Sequence, residues 1–433
     1  MKLTLIRPNL GDYRSSDAMP PLAMGILAAR APGWDITFYD EKAEPVPADD
    51  ETDLAALSVE TFTARRAYVI ADRYRKRGIP VVMGGYHPSF LPDEALEHAD
   101  AVVIGDAEGA WERLLEDFKA GHLQRRYTGG NDLPLTDYRI DRSIYAGKKY
   151  APVSLVQYGR GCRFTCDFCS IHSFYGTSLR VRPLDGLIAE IRALPPNRLM
   201  FFVDDNLFGR KSDLIALLDA LTPLKRRWMC QISIDVARDE SLLDRLAAAG
   251  CSYVLIGFES LSPESLQQMR KAWNSAAGSY EEVVAALHAR NIGIYGTFVF
   301  GYDADTAESI ERTLDFAMNA RLEIANFNPL TPTPASELYD RLLSEGRLLS
   351  PQWWLDPDFR YGDAIFEPRG MNADQLSHGV FEAKRRFYSW RSIGLRVLDP
   401  KTPFSPVRAG LAAIANVISR REIYKKQHRT LGL

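Results

Sequence analysis

The stretch that most constrains this chain is residues 157–169, QYGRGCRFTCDFC. Three of the five cysteines fall within eight residues, as Cys162, Cys166 and Cys169 in a C-x3-C-x2-C spacing. An apolar run, Val153–Val156, leads in and reads as a strand, which Gly159 and Gly161 break into a loop. Such a loop can fold around one inorganic centre and point three thiolates at it. Iron–sulfur clusters are held by Cys thiolates, and a cubane with three protein ligands keeps one iron open. Ordinary buried thiols are the bland reading; three in one loop flanked by glycine and arginine argue against it. Zinc stays formally available, because His172 would complete a Cys3His set. Zinc accounts for the loop but not for the strand–helix series behind it.

At 433 residues the chain exceeds one ordinary core, so two or three domains are expected. A net charge of −3 gives no bulk electrostatic reason to expect nucleic acid or a membrane as partner. No apolar run approaches a membrane span. Arg7 and Pro8 interrupt the first apolar run too early for a secretory leader. Clustered cysteines argue against a disulfide framework, and Cys230 and Cys251 read as core thiols. A cytoplasmic, reducing setting is expected.

Residues 1–130 alternate between strand and helix. Five strands are expected, at 2–6, 35–39, 54–59, 80–83 and 101–104, with helices between them. That alternation predicts a doubly wound, Rossmann-like parallel sheet covered on both faces, with ligands at the strand carboxyl ends. Three loops at that edge are glycine-rich or hydroxyl-bearing: Ser58 to Thr61, Gly84-Gly85-Tyr86-His87-Pro88, and Gly105-Asp106-Ala107-Glu108. Any one of them could be only a tight turn. Three on one edge read as a binding site. Residues 131–150, entered through Gly129-Gly130 and Pro134, form a connector whose tyrosines predict packing across a domain interface.

Residues 151–335 repeat the βα unit six times, which predicts an open or closed barrel. Its carboxyl edge carries the cysteines, Asp204, Asp205, Ser233, Asp235, Glu259 and Tyr302. Residues 336–433 read as a mainly helical cap. Trp353-Trp354 and Phe359-Arg360-Tyr361 form an aromatic cluster there, suited either to packing on the barrel or to covering an apolar substrate. The final helix, near 408–429, has a basic end for which a solvated face is expected rather than membrane contact.

These pieces together resemble the cobalamin-dependent radical S-adenosylmethionine enzymes. The cysteine motif after a first barrel strand, Ile256-Gly257-Phe258-Glu259-Ser260, and the glycine loops of the first domain carry the resemblance. It implies an α/β architecture: a cobalamin-binding domain, a partial (β/α)6 radical SAM barrel, then a helical cap. It implies that Cys162, Cys166 and Cys169 hold a 4Fe–4S cluster. Phe168, Asp204, Ser233, Arg238 and Glu259 would contact S-adenosylmethionine. Ser58, Thr61, Gly84, Gly85, Tyr86, His87, Gly105 and Glu108 would contact cobalamin. None of the seven histidines stands in the D-x-H-x-x-G frame that ligates cobalt elsewhere, so a turn-stabilising role is favoured for His87.

The resemblance further implies a 5′-deoxyadenosyl radical that takes hydrogen from an unactivated carbon, with methylcobalamin as methyl donor and an external electron donor. The expected substrate is a small apolar or ring-bearing molecule. Radical chemistry without net methylation is the alternative within the family, and a zinc-binding, non-catalytic interaction protein is the alternative outside it.

Overall fold

The computed structural model describes residues 1–11, 13–397 and 405–431, and at 276 and 277 the backbone only. Six parallel strands build the first sheet: β1 (Lys2–Arg7), β2 (Asp35–Asp40), β3 (Leu54–Ser58), β4 (Val81–Gly84), β5 (Ala101–Ile104) and β6 (Arg126–Thr128). They lie in the order β2-β1-β3-β4-β5-β6, so the winding reverses between β1 and β3. A reversal of this kind opens a crevice at the strand carboxyl ends. Side chains alternate across the sheet. Leu3, Leu5, Ala56, Val82 and Val103 pack with helices Leu22–Ala29 and Trp111–Lys119. Ile6, Ala55, Leu57, Met83 and Val102 face helices Ala64–Lys76 and Pro92–His98, in a core continuous with that of the second sheet.

The first sheet departs from its sequence pattern at two places. The sheet has a sixth strand, β6, which three residues are too few to announce by pattern. The Gly84–Pro88 segment is not a loop throughout, because Tyr86–Phe90 coils into a short helix.

The second sheet contains β7 (Val153–Val156), β10 (Leu199–Phe202), β11 (Trp228–Ile232), β12 (Cys251–Glu259), β13 (Gly293–Phe300) and β14 (Ile324–Pro329). All pair in parallel, in the order β14-β13-β12-β11-β10-β7. Between β7 and β10 lies a small antiparallel pair, β8 (Gly159–Arg160) with β9 (Arg180–Val181), which closes the base of the cysteine loop.

The connector spans the two units. Tyr145 donates to the Pro21 carbonyl (2.6 Å) and accepts from the Gly25 amide (3.0 Å), while Arg142 donates to the Leu155 carbonyl at 2.7 Å. The C-terminal region is helical, with Ala373–Phe387 packed on β14 and on Ala307–Asn319. At the end of the last helix, Pro406–Gln427, Arg421 and the following Arg429 are exposed, as expected of a solvated basic end, but Lys425 is not free of the fold. Lys425 Nζ donates to the Arg14 carbonyl (2.6 Å) and Ser16 Oγ (2.9 Å), and Glu422 accepts from the Ser16 amide (2.7 Å). The loop after β1 and the last helix are thereby fastened together.

Candidate active site

The cysteine loop is held by its neighbours' carboxylates. Asp204, just beyond β10, accepts from the Tyr158 amide at 3.0 Å and also from the Gly159 amide. Asp205 accepts from the Gly161 amide at 2.8 Å. Gly161 sits at φ +93°, and a Cβ there would fall 1.9 Å from the Ser178 carbonyl oxygen. Only glycine permits that approach. Burial pushes the Asp204 carboxyl up to about 7, against the amide bonds that favour its charge. Asp204, expected against the nucleoside cofactor, thus lies on the backbone beneath the cysteines.

Cys166 is buried, and Cys162 and Cys169 are half-buried. Burial pushes the Cys166 thiol up to about 12, and the Cys169 thiol is raised by burial and by Cys162. Burial thus opposes the thiolate form, a cost that a bound metal centre would offset; three thiols on one loop are the donor type an iron–sulfur cluster takes. Asn206 points its amide at Cys162 Sγ (3.9 Å) and at Ser233 Oγ (3.3 Å), which places Ser233 beside the loop. His172 Nδ1 lies 3.2 Å from the Gly176 carbonyl oxygen, on the helix that follows the loop.

Glu259 ends β12 in a left-handed conformation, φ +63°. Its carboxylate meets Lys271 Nζ at 2.7 Å, both side chains being buried. Burial opposes the Lys271 ammonium, yet Glu259 and Cys166 hold it above the usual lysine range. Lys271 stands beside the cluster loop and was not foreseen; nothing in its local sequence marks it. Arg163 stacks on Phe164 and Phe208 and pairs with Asp235, while Phe164 lies flat on Trp273 with centroids 3.8 Å apart. Arg238 closes the turn Ile234–Arg238, which Ser233 precedes, and is exposed.

A cavity of about 300 Å³ opens at the carboxyl edge of the first sheet. Ser58, Gly84, Gly85, Tyr86, Gly105 and Glu108 line it, with Gln157 and Arg160 from the barrel side. Its lining is otherwise largely apolar, with Leu22, Ala23, Ile26, Ala56 and Trp111 beside the bare backbone of the glycines, and these residues fit a corrin. Thr61 and His87 are not among the lining residues. Thr61 is buried in the turn Thr61–Thr63. His87 is fully buried, with Nε2 2.9 Å from the Tyr68 hydroxyl and 3.0 Å from Glu94. Glu94 also accepts from Trp354 Nε1 at 2.9 Å. His87 therefore belongs to a polar knot that ties the cap to the first domain.

The two units meet through charge. Arg160 engages Glu108 and Asp106, and Asp106 also accepts from Arg180 (2.7 Å) and the Tyr175 hydroxyl (3.0 Å). Burial works against Glu108, but the Arg160 guanidinium holds its carboxyl below the usual range.

A second cavity, about 240 Å³, lies where the cysteine loop, the ends of β13 and β14, the first domain and the cap converge. Phe62, Phe168, Asn328, Phe359 and Tyr361 are among its walls. Phe62 packs on Phe359 and Tyr361 at 6.1 and 5.7 Å between centroids. Phe168, expected against S-adenosylmethionine, faces this aromatic space. The aromatic cluster of the cap therefore both packs on the barrel and walls a cavity.

Comparison with known proteins agrees with this geometry. The B12 binding domain profile matches residues 19–115, and the Radical SAM superfamily profile matches residues 156–317. The chain is 32% identical over 390 residues to bacteriochlorophyllide d C-12(1)-methyltransferase of Chlorobaculum tepidum, covering 87% of this chain and 84% of that one. It is 28% identical to the C-8(2)-methyltransferase of the same organism, covering 94% of each. The fold superposes on the radical S-adenosylmethionine methyltransferase TsrM of Kitasatospora setae, solved with cobalamin and a [4Fe-4S] cluster. The TM-score is 0.67 at 17% identity, over 98% of each chain. Among the described residues no helix is long and apolar enough to cross a membrane.

Proposed function

We propose, from the premise that this chain belongs to the cobalamin-dependent radical S-adenosylmethionine enzymes, that it methylates an unactivated carbon on a tetrapyrrole of the bacteriochlorophyllide class. Its cofactors are a 4Fe–4S cluster, S-adenosylmethionine and cobalamin. When bound, they supply one-electron cleavage of the sulfonium and a transferable methyl group. Membership of this family sets the zinc reading aside.

The observation that carries the substrate reading is the aromatic cavity between the domains, walled by Phe62, Phe168, Phe359 and Tyr361. Flat aromatic walls suit a flat ring system. The two bacteriochlorophyllide methyltransferases resembling this chain over most of its length support the same class.

Cys162, Cys166 and Cys169 would hold the cluster on a loop whose backbone Asp204 and Asp205 clamp. Ser233 and Glu259 lie near enough to that loop to take the nucleoside cofactor, with Lys271 fixing the Glu259 carboxylate. Ser58, Gly84, Gly85, Tyr86, Gly105 and Glu108 would hold the corrin. Trp353 and Trp354, both buried, pack the cap against Phe62 and Glu94 of the first domain. An external one-electron donor and a cytoplasmic setting complete the reading.

The test is anaerobic incubation of the reconstituted enzyme with reductant, S-adenosylmethionine and a bacteriochlorophyllide, followed by mass spectrometry. A gain of one methyl group on the ring is expected. Consumption of S-adenosylmethionine with a changed but unmethylated ring would replace methylation by the family's other outcome.

A further inference from the structure

Lys384 is a lysine in a core position. It lies on helix Ala373–Phe387, on the face that also carries Leu376, Val380, Ala383 and Phe387. It is 4% exposed and has no hydrogen-bond or ion-pair partner among the described residues. A buried ammonium without a counter-charge is expensive, and folds keep one only where something offsets it.

The surrounding charges do not offset it. Asp363 is the acidic group acting on Lys384, but Arg429 stands 3.9 Å from Asp363. Lys426 repels Lys384 and is itself paired with Asp17 at 3.4 Å. Lys384 is the charge left over. Burial first, and Lys426 second, push its ammonium down to about 7.

The lysine is not itself among the residues that line the aromatic cavity; it packs behind them at the Gly362 end. Gly362 and Asp363 line that cavity, and Lys384 Nζ lies 3.5 Å from the point that a Cβ on Gly362 would occupy. Gly362 is at φ +93°, and the same Cβ would collide with Gln427 Nε2 at 1.8 Å. Gln427 is 6% exposed, and its Oε1 is buried without a partner. An unpaired ammonium and an underused amide thus flank one bare stretch of backbone.

We infer that Lys384 and Gln427 form an anion subsite at the Gly362 end of the aromatic cavity, which takes a carboxylate carried by the ring substrate. The ammonium supplies the charge and the Gln427 amide a second donor. Either end of that amide can turn to the ligand, since the two are nearly isosteric. A carboxylate fits better than a phosphate, because only one uncompensated positive charge is present. The inference rests on the substrate reading above for the ring, not for the anion.

The test uses the reconstituted holoenzyme and equilibrium binding. One probe pair is a chlorin bearing a single propionic acid and its methyl ester; the other is 2-naphthoate and 2-naphthamide. Wild type is expected to bind each acid at least about tenfold more tightly than its neutral partner. Lys384→Met should abolish that preference and leave the neutral probes unaffected. Gln427→Leu should reduce it. Iron and cobalamin content report that each variant is intact, and the acid–neutral comparison on wild type needs no variant. Equal binding of acid and neutral probes by wild type, absence of binding by all four, or an equal loss of both in Lys384→Met, would overturn the subsite. If neither chlorin binds while naphthoate is still preferred over naphthamide, the subsite stands and the tetrapyrrole reading falls.

Discussion

Arg160 and Glu108 form a two-pronged ion pair, with Nη2 2.7 Å from Oε1 and Nη1 3.1 Å from Oε2. Arg160 stands two residues before the first cluster cysteine, and Glu108 lies on the loop after β5 that edges the larger cavity. One contact therefore couples the proposed cluster loop to the proposed corrin site. Both side chains are largely withdrawn from water, at 8% and 17% exposure. Removing one partner strands the other, at a cost of about 3 kcal/mol. Arg160→Met should lower unfolding free energy by that order and weaken cobalamin retention. The double variant Arg160→Met/Glu108→Gln should recover part of both. Chemical denaturation and bound-cobalamin absorbance read the two effects.

Gly161→Ala should fail at the cluster rather than at the fold as a whole. The added methyl meets the Ser178 carbonyl oxygen at 1.9 Å in a left-handed backbone. The loop must open, so iron bound per chain after reconstitution is expected to fall to a minor fraction. Cobalamin binding should persist, since the larger cavity lies mainly on the first sheet. Equal loss of both cofactors would contradict this.

The pH dependence of stability should carry the signature of Asp204. Its folded pKa, about 7, lies above the ordinary 3.8. Between those values the folded state binds more protons than the unfolded one, so stability falls as pH rises. The contribution is fully present below the unfolded pKa and is lost as pH rises through about 7. Asp204→Asn should flatten that slope in the cofactor-free protein. Denaturation midpoints at roughly pH 4.5 and roughly pH 7.5 compare the two.

Phe62→Ala should separate substrate binding from cofactor binding. Phe62 packs on Trp353, Phe359 and Tyr361, with centroids 5.2, 6.1 and 5.7 Å away. Aromatic pairs contribute about 1 kcal/mol each beyond area burial. A loss of at least about tenfold in affinity for the ring substrate is expected, with iron and cobalamin contents unchanged. Unaltered substrate affinity would move the substrate site elsewhere.

Lys271→Met should raise the cost of the Glu259 charge, because Lys271 is the cation that meets that carboxylate at 2.7 Å. Weaker S-adenosylmethionine binding is expected; adding Glu259→Gln removes the stranded charge and should recover stability, read by chemical denaturation, but not the binding. Calorimetric titration of the cluster-loaded protein measures it.

What near neighbours dictate can be read along the chain. A three-cysteine loop behind an apolar strand announces a metal centre because thiol spacing is local. Strand–helix alternation announces two parallel sheets because period and turn chemistry are local as well. Gly84, Gly85 and Gly105 were legible as edge glycines for the same reason. What the tertiary structure alone decided are contacts between residues far apart in the chain. Arg160 finds Glu108, and Lys271 finds Glu259 through the return of the chain after β12. His87, one residue from the cavity-lining Tyr86, is turned inward by a short helix and captured by Tyr68 and Glu94. Lys425 fastens the N-terminal loop, although its helix reads as solvated. Lys384 shows the limit most plainly. On the sequence it is one basic residue in a run of three, and only packing reveals that it is buried, without an ion-pair partner among the described residues, and set behind Gly362 at one end of the cavity.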